Sequence, residues 1–149
     1  VDVLVISIAN PVLIGVYENK KLVKQFSQEG QSSDIIPQLF QTILKEFDIK
    51  KVLYVNAPGS YMAIKVAYMF LKTICIVKNI ELLACSGFYF NQNSPIKALG
   101  KKYFILKDGT INIDFIDKNQ RIEPFVLPKK LDVEIFSTAT LPQYNLPAV

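Results

Sequence analysis

Residues 51–78, KVLYVNAPGSYMAIKVAYMFLKTICIVK, decide how this chain folds. Val52, Leu53, Tyr54 and Val55 form a short β-prone run. Asn56, Ala57, Pro58 and Gly59 are residues that break a strand and make a turn. Ser60 then stands at the position of a helix N-cap, where its hydroxyl can accept a free backbone N–H of the first turn. A helix follows from about Tyr61 to Val77. At 100° per residue, Met62, Ala63, Ile64, Val66, Ala67, Met69, Phe70, Leu71, Ile74, Cys75, Ile76 and Val77 cover most of its circumference. Lys65 and Lys72 share one narrow edge with Tyr61 and Tyr68. A helix apolar nearly all round must be covered on more than one side. A sheet can serve one side, and a further layer or a partner chain must serve another. Ala63 and Ala67, four apart, lower the surface enough for a second helix to come close.

Working outward, Asn79 ends this helix and residues 80–85 make the next strand. On the other flank, Ser32 or Ser33 can cap a helix that runs to about Phe47. Pro37 falls in its first turn, where a missing N–H costs little. Ile35, Ile36, Leu39, Phe40, Ile43, Leu44 and Phe47 form one broad apolar stripe, with Gln38, Gln41, Thr42, Lys45 and Glu46 opposite. Upstream lie three short strands, at residues 3–8, 12–17 and 22–26, separated by Asn10-Pro11 and by the polar turn Glu18-Asn19-Lys20-Lys21. They read as an antiparallel meander. The resulting α/β order is β-β-β-α-β-α-β in one mixed sheet. Its last two strands are expected to be parallel, joined by right-handed crossovers.

After Ser86-Gly87 the pattern changes, and a boundary is expected near Gly87, between residues 1–86 and 87–149. Short strands are expected at residues 96–99, 103–106 and 111–115, the last two joined at Asp108-Gly109, a good hairpin turn. Asp117–Arg121 is a polar loop, written DKNQR. Pro124, Pro128, Pro142 and Pro147 punctuate an irregular tail that holds one more strand, residues 133–136.

Composition narrows the chemistry. Half of the 149 residues are apolar and 20% are charged, which suits one ordinary core, or a domain with a reduced second lobe. The net charge of +4 is almost wholly lysine, since Arg121 is the only arginine. Nucleic-acid readers rely on arginine forks, so a solvated lysine surface is the favoured reading. The chain has no histidine, which removes imidazole acid–base catalysis. Cys75 and Cys85 sit in apolar runs and read as core residues, and no metal site is expected. The apolar start, VDVLVISIANPVLIGVY, has Asp2 where a signal peptide carries lysines, and reads as strands. No uncharged run reaches bilayer length, so no membrane association and a cytoplasmic setting are expected.

Ala57-Pro58-Gly59-Ser60 could also present free N–H groups to an anion at a helix N-terminus, which makes Pro58, Gly59 and Ser60 a candidate anion-binding turn. It is neither a P-loop nor a nucleophile elbow, because GxxxxGK[ST] and GxSxG are absent. An ordinary turn with an N-cap is favoured by the chemistry alone. The carboxylates Asp34, Asp108, Asp114 and Asp117 are scattered over loops and edges and read as solvated.

At APGSYMAIKVAYMF the sequence resembles the G-P-G-S-F-T-G-L-R-I-G motif of the TsaB (YeaZ) family, paralogues of TsaD. Gln31-Ser32-Ser33-Asp34-Ile35-Ile36-Pro37 is similar to the family's H-S-R-E-L-L-P. Val3-Leu4-Val5-Ile6 is similar to its opening I-L-A-I, and the run from Asn79 to Ser86 to its N-I-P-L-x-x-V-S. The likeness covers residues 1–86 in order and is thin beyond, where residues 98–104 echo D-A-R-x-G-E-V-Y. The resemblance implies an actin-like ATPase fold (ASKHA, ribonuclease H-like) with two related lobes. It also implies a noncatalytic partner of TsaD in making threonylcarbamoyladenosine next to the anticodon of tRNA. The contact would be a helical bundle with TsaD or with a second copy. Its surface would comprise Ile35, Leu39, Ile43, Met62, Ala63, Val66, Ala67, Phe70 and Ile74. A TsaE-like ATPase is a further implied partner, tRNA is met indirectly, and ATP or ADP with magnesium would sit at a shared interface.

The departures carry information. The acidic residue of the family's I-D-T-S motif maps to Ser7, its histidine to Gln31, and its glycines to Ala57, Ala63 and Ala67. Loss of the strand-1 carboxylate argues against ATP hydrolysis by this chain. The family's glycoprotease label finds no metal histidine and no triad here. The rival expectations are a small nucleotide-dependent enzyme of the same superfamily, ATPase- or kinase-like, and a homodimer without other partners.

Overall fold

The protein is described by a computed structural model over residues 1–143. Pro147 and the expected end of the second lobe at residue 149 lie outside them. The chain opens with β1 (Asp2–Ile6), β2 (Val12–Glu18) and β3 (Lys21–Gln28), then α1 (Ser32–Glu46), β4 (Lys51–Ala57), α2 (Tyr61–Lys78) and β5 (Glu81–Ser86). This is the β-β-β-α-β-α-β order expected of the sequence. The five strands form one mixed sheet in the order β3-β2-β1-β4-β5. The meander β1-β2-β3 is antiparallel, while β1 with β4 and β4 with β5 are parallel.

Both faces of this sheet are covered, which explains the unbroken apolar runs of β1 and β4. Val3, Val5, Ile14, Val16, Val52, Tyr54 and Ala84 face the helices and meet Ile36, Phe40 and Ile43 of α1 and Ala67, Leu71 and Cys75 of α2. Leu4, Ile6, Tyr17, Leu53, Val55, Leu83 and Cys85 face the other way, against Phe90, Leu127 and Leu131. The chain beyond residue 87 therefore returns to roof the sheet opposite the helices.

In between, β6 (Ile96–Lys97), β7 (Lys102–Lys107) and β8 (Thr110–Phe115) make a small antiparallel sheet. Asp108 and Gly109 both have positive φ, 51° and 77°, as a two-residue hairpin turn whose twist matches its strands requires. The expected strand at residues 133–136 is instead a 3₁₀ turn, Val133–Ile135. Asp132 causes this: its carboxylate accepts the Glu134 N–H at 3.1 Å, a local bond that competes with extended backbone.

Just beyond that turn, Ser137 and Ala84 exchange backbone hydrogen bonds of 2.8 and 2.9 Å, closing part of the open edge of β5. Asn56 donates through Nδ2 to the carbonyls of Ala139 (3.3 Å) and Leu141 (2.9 Å), and its own carbonyl accepts from Gln143 N–H at 3.1 Å. The Tyr54 hydroxyl donates to the Thr140 carbonyl. These bonds, with the pairing of Ala57 to Ser86, carry β4 two residues further than the sequence suggested. Asn56 and Ala57 belong to the strand, and only Pro58 and Gly59 turn the chain.

Candidate functional site

Two features meet at the carboxyl end of β1 and β4, where the loops of a parallel sheet gather, and a third runs along the helix that leaves it. The first is the turn into α2. Ser60 does hold the N-cap position, and its carbonyl accepts the Ile64 N–H at 3.1 Å. Its hydroxyl caps nothing. Pro58 and Gly59 are buried while Ser60 is exposed, so the turn does not form an open cradle. A Cβ added at Gly59 would stand 2.9 Å from Cγ2 of Ile8 and 3.0 Å from its Cβ. Glycine is needed here so that the turn can lie against the residues that follow β1.

The second feature is a pair of cavities on either side of that contact. The larger, of about 1030 Å³, opens between the two sheets and is walled mainly by Ile8, Leu13, Ile96, Leu99 and Phe125, with Ser60 and Tyr61 at one end. Glu123 is the one carboxylate on its wall, and it is engaged by Arg121 at 2.7 Å. The smaller cavity, of about 440 Å³, lies between Ser7–Asn10, the entry to α1 and the first turns of α2. Its wall includes Asn10, Ser32, Ser33, Met62 and Val66. Asn10 Oδ1 accepts the Gly30 N–H at 3.1 Å and so ties the β1–β2 turn to the α1 entry. That entry differs from expectation: Gln31 is the N-cap residue, without a side-chain bond, and Ser32 is already helical. The N–H groups of Asp34 and Ile35 both reach the Gln31 carbonyl at 3.0 Å, so the helix starts one turn-position early.

The third feature is the outer face of α2. Ile64, Ala67, Leu71 and Cys75 pack on the sheet. Phe70 meets Phe40 of α1 edge to face, with ring centroids 5.8 Å apart. The remaining apolar side is uncovered: Met62, Met69 and Ile76 are 61%, 58% and 69% exposed. They recur every seven residues, with Val66 and Thr73 between them, which is the spacing of a seam between two helices. Lys65 sits over the Tyr61 ring at 5.6 Å on the polar edge.

The residues expected to form a helical interface thus divide into two groups. Ile35, Ile43 and Ala67 are core residues of this chain. Leu39, Ala63, Val66, Phe70 and Ile74 are half-buried and Met62 is exposed. Leu39 lies seven residues before Glu46, on the flank of α1 from which Glu46 reaches Lys24 of β3 at 2.8 Å. That flank points away from the α2 stripe. Met69 and Ile76, which close the exposed seam, were counted in the sequence only as part of an all-round apolar helix. Their heptad spacing was the signal that separates them.

Burial raises the thiols of Cys75 and Cys85 to about 11 and about 12, so both stay protonated and inert near neutral pH. Among the described residues no group of three histidine, cysteine, aspartate or glutamate side chains could hold a metal ion. No helix among them is long and apolar enough to cross a membrane.

No protein-family model matches the chain, and no curated protein matches it in sequence. In structure it is similar to YeaZ from Pseudomonas aeruginosa, with a TM-score of 0.60 at 9% identity, over 76% of this chain and 63% of that one. It is similar as well to an uncharacterized protein with similarity to peptidase YeaZ from Pseudomonas aeruginosa, with a TM-score of 0.54 at 10% identity, over 76% of this chain and 62% of that one. The chain thus spans less than two thirds of the length of either structure. The five-stranded mixed sheet with its two helices, followed by the small three-stranded sheet, is a YeaZ-like fold.

Proposed function

We propose that this chain is a noncatalytic, TsaB-type partner that docks on a TsaD-like enzyme of tRNA threonylcarbamoyladenosine synthesis through the outer face of α2. The observation that carries this reading is the outer seam of α2, in which Met62, Met69, Thr73 and Ile76 are exposed and Val66 is half-buried. A heptad seam left in solvent fits a helix from a partner better than it fits a ligand. Ala63, Phe70 and Ile74 border the seam, and Ala63 lets a second helix approach. In this reading residues 1–86 form the docking lobe and residues 87–149 a reduced second lobe. Ser7 in place of the strand-1 carboxylate supports the noncatalytic role, and nucleotide would be held by the partner or at the shared surface.

Mixing the purified chain with a TsaD-like protein should give a 1:1 complex on a sizing column with light scattering. Met69→Asp should abolish the complex while the thermal melt of the isolated chain stays within about a degree, because an exposed side chain contributes little to the fold. Complex formation by the Met69→Asp protein would overturn the docking surface. Release of phosphate from ATP by the isolated chain would overturn the noncatalytic role.

A further inference from the structure

We infer that the outer edge of β8 joins a second copy of this chain, β8 to β8, antiparallel and centred on Asn112. The ladder of the small sheet shows which groups that edge offers. Lys102 of β7 donates its N–H to the Leu99 carbonyl at 3.1 Å and accepts the Ala98 N–H at 3.0 Å, so its backbone groups face the β6 side. Their direction alternates along a strand. Tyr103, Ile105 and Lys107 therefore face β8, where they pair with Asp114, Asn112 and Thr110. Ile111, Ile113 and Phe115 turn their N–H and C=O groups outward. Among the described residues the one bond made there is local, from the Phe115 N–H to Asp114 Oδ1 at 2.7 Å. Ile111 packs with Phe104 and Leu106. Ile113 and Phe115 continue the same face, yet they are 38% and 61% exposed because the sheet stops beside them.

Two observations make a second copy the occupant. The chain defends its other sheet edges, by the means that keep edges from pairing. β3 carries Lys21 and Lys24 and is bridged at Lys21 by Lys130, β5 is bonded to Ser137, and β6 is only two residues long. β8 has no lysine, no proline, no bulge and, among the described residues, no cover. The strand is also complementary to itself. In the register centred on Asn112, Ile111 of one copy stands opposite Ile113 of the other, and their outward N–H and C=O groups meet. Thr110 stands opposite Asp114, the one charged residue of the strand, so no like charges are opposed. Apolar residues share one face and polar residues the other. A shift of one residue would set outward groups against inward ones. A shift of two would need the Phe115 N–H, which Asp114 holds. The edge is six residues long, well below the roughly 1,200 Å² of a stable interface, so a reversible dimer with a dissociation constant of roughly 10–100 µM is expected.

Sedimentation equilibrium of the full chain over roughly 5–500 µM tests this, with a monomer–dimer equilibrium expected. Asn112→Lys sets like charges face to face at the centre of the pairing and should weaken the dimer about tenfold. The side chain of Asn112 is exposed, so the melt of the dilute variant should stay within about a degree of the parent. Ile113→Pro removes an outward N–H and no bond to β7, and should weaken the dimer at least as much. The register is read by cross-linking with oxidised glutathione. Directly opposed residues of this kind have Cα atoms about 4.5 Å apart, within disulfide reach. Asn112→Cys should therefore form a covalent dimer and Thr110→Cys should not, while the buried Cys75 and Cys85 stay out of the reaction. A chain that remains monomeric at about 0.5 mM would overturn self-pairing and leave the edge to a foreign strand. A dimer that survives both Asn112→Lys and Ile113→Pro, or equal cross-linking at residues 110 and 112, would overturn it as well. Met69→Asp should leave this dimer intact and Asn112→Lys should leave the complex through α2 intact, so the two surfaces fail separately.

Discussion

Helices α1 and α2 lie on the same face of the same sheet, yet they differ in what they leave uncovered. α1 buries Ile35, Ile36, Phe40 and Ile43 and shows solvent Gln38, Gln41, Thr42 and Lys45. α2 buries Ile64, Ala67, Leu71 and Cys75 and shows solvent Met62, Met69, Ile76 and Val77. Each helix satisfies the core with four buried positions. α2 then carries an apolar surplus that its own fold does not use, as the proposed docking surface requires.

Three substitutions break or sharpen this contrast. The largest effect is expected from Phe40→Ala, at the fully buried ring where the helices meet. It should cost about 3–5 kcal/mol in a denaturant melt, since it removes a ring from the core and leaves Phe70 without its edge contact. A loss below 1 kcal/mol would mean that the helices do not depend on each other. Gly59→Ala acts at the entry of α2 alone. The new methyl meets the branched carbon of Ile8, which cannot swing away, so a loss of about 1–3 kcal/mol is expected by the same measurement. The smallest effect belongs to the outer flank of α1. Glu46→Gln removes the ion pair with Lys24, whose side chains are both about two-fifths exposed. A loss of roughly 0.2–1 kcal/mol is expected at low salt, vanishing in concentrated sodium chloride.

The sequence carried the sheet because its strands are short apolar runs with turn residues between them. The parallel pairing of β4 and β5 followed from the helix that joins them. The helices were legible from periodicity, and α2 ended at Asn79, in the left-handed conformation, as expected. Three things were not legible. Asp132 diverts residues 133–136 into a 3₁₀ turn by one local bond, which apolar patterning cannot weigh. Gln31 replaces the serines as the first cap of α1 because the backbone, not a side chain, closes that turn. The orphaned hydroxyl of Ser7 depends on what does not surround it, and a sequence records only what is present. The candidate turn at Pro58–Ser60 stood out by its residues, whereas the cavity beside it is assembled from three segments far apart in the chain.

Ser137 and the residues after it meet β5 and β4 from more than 50 positions downstream. At a synthesis rate of 5–20 residues per second, the edge of β5 therefore waits roughly 3–10 s for its cover after it is made. During that interval Leu82 to Cys85 form an apolar strand with one side unpaired, the kind of edge that recruits foreign strands. The nascent chain is thus most exposed to misassociation between the emergence of β5 and that of Ser137, and the arrival of that downstream segment ends the exposure.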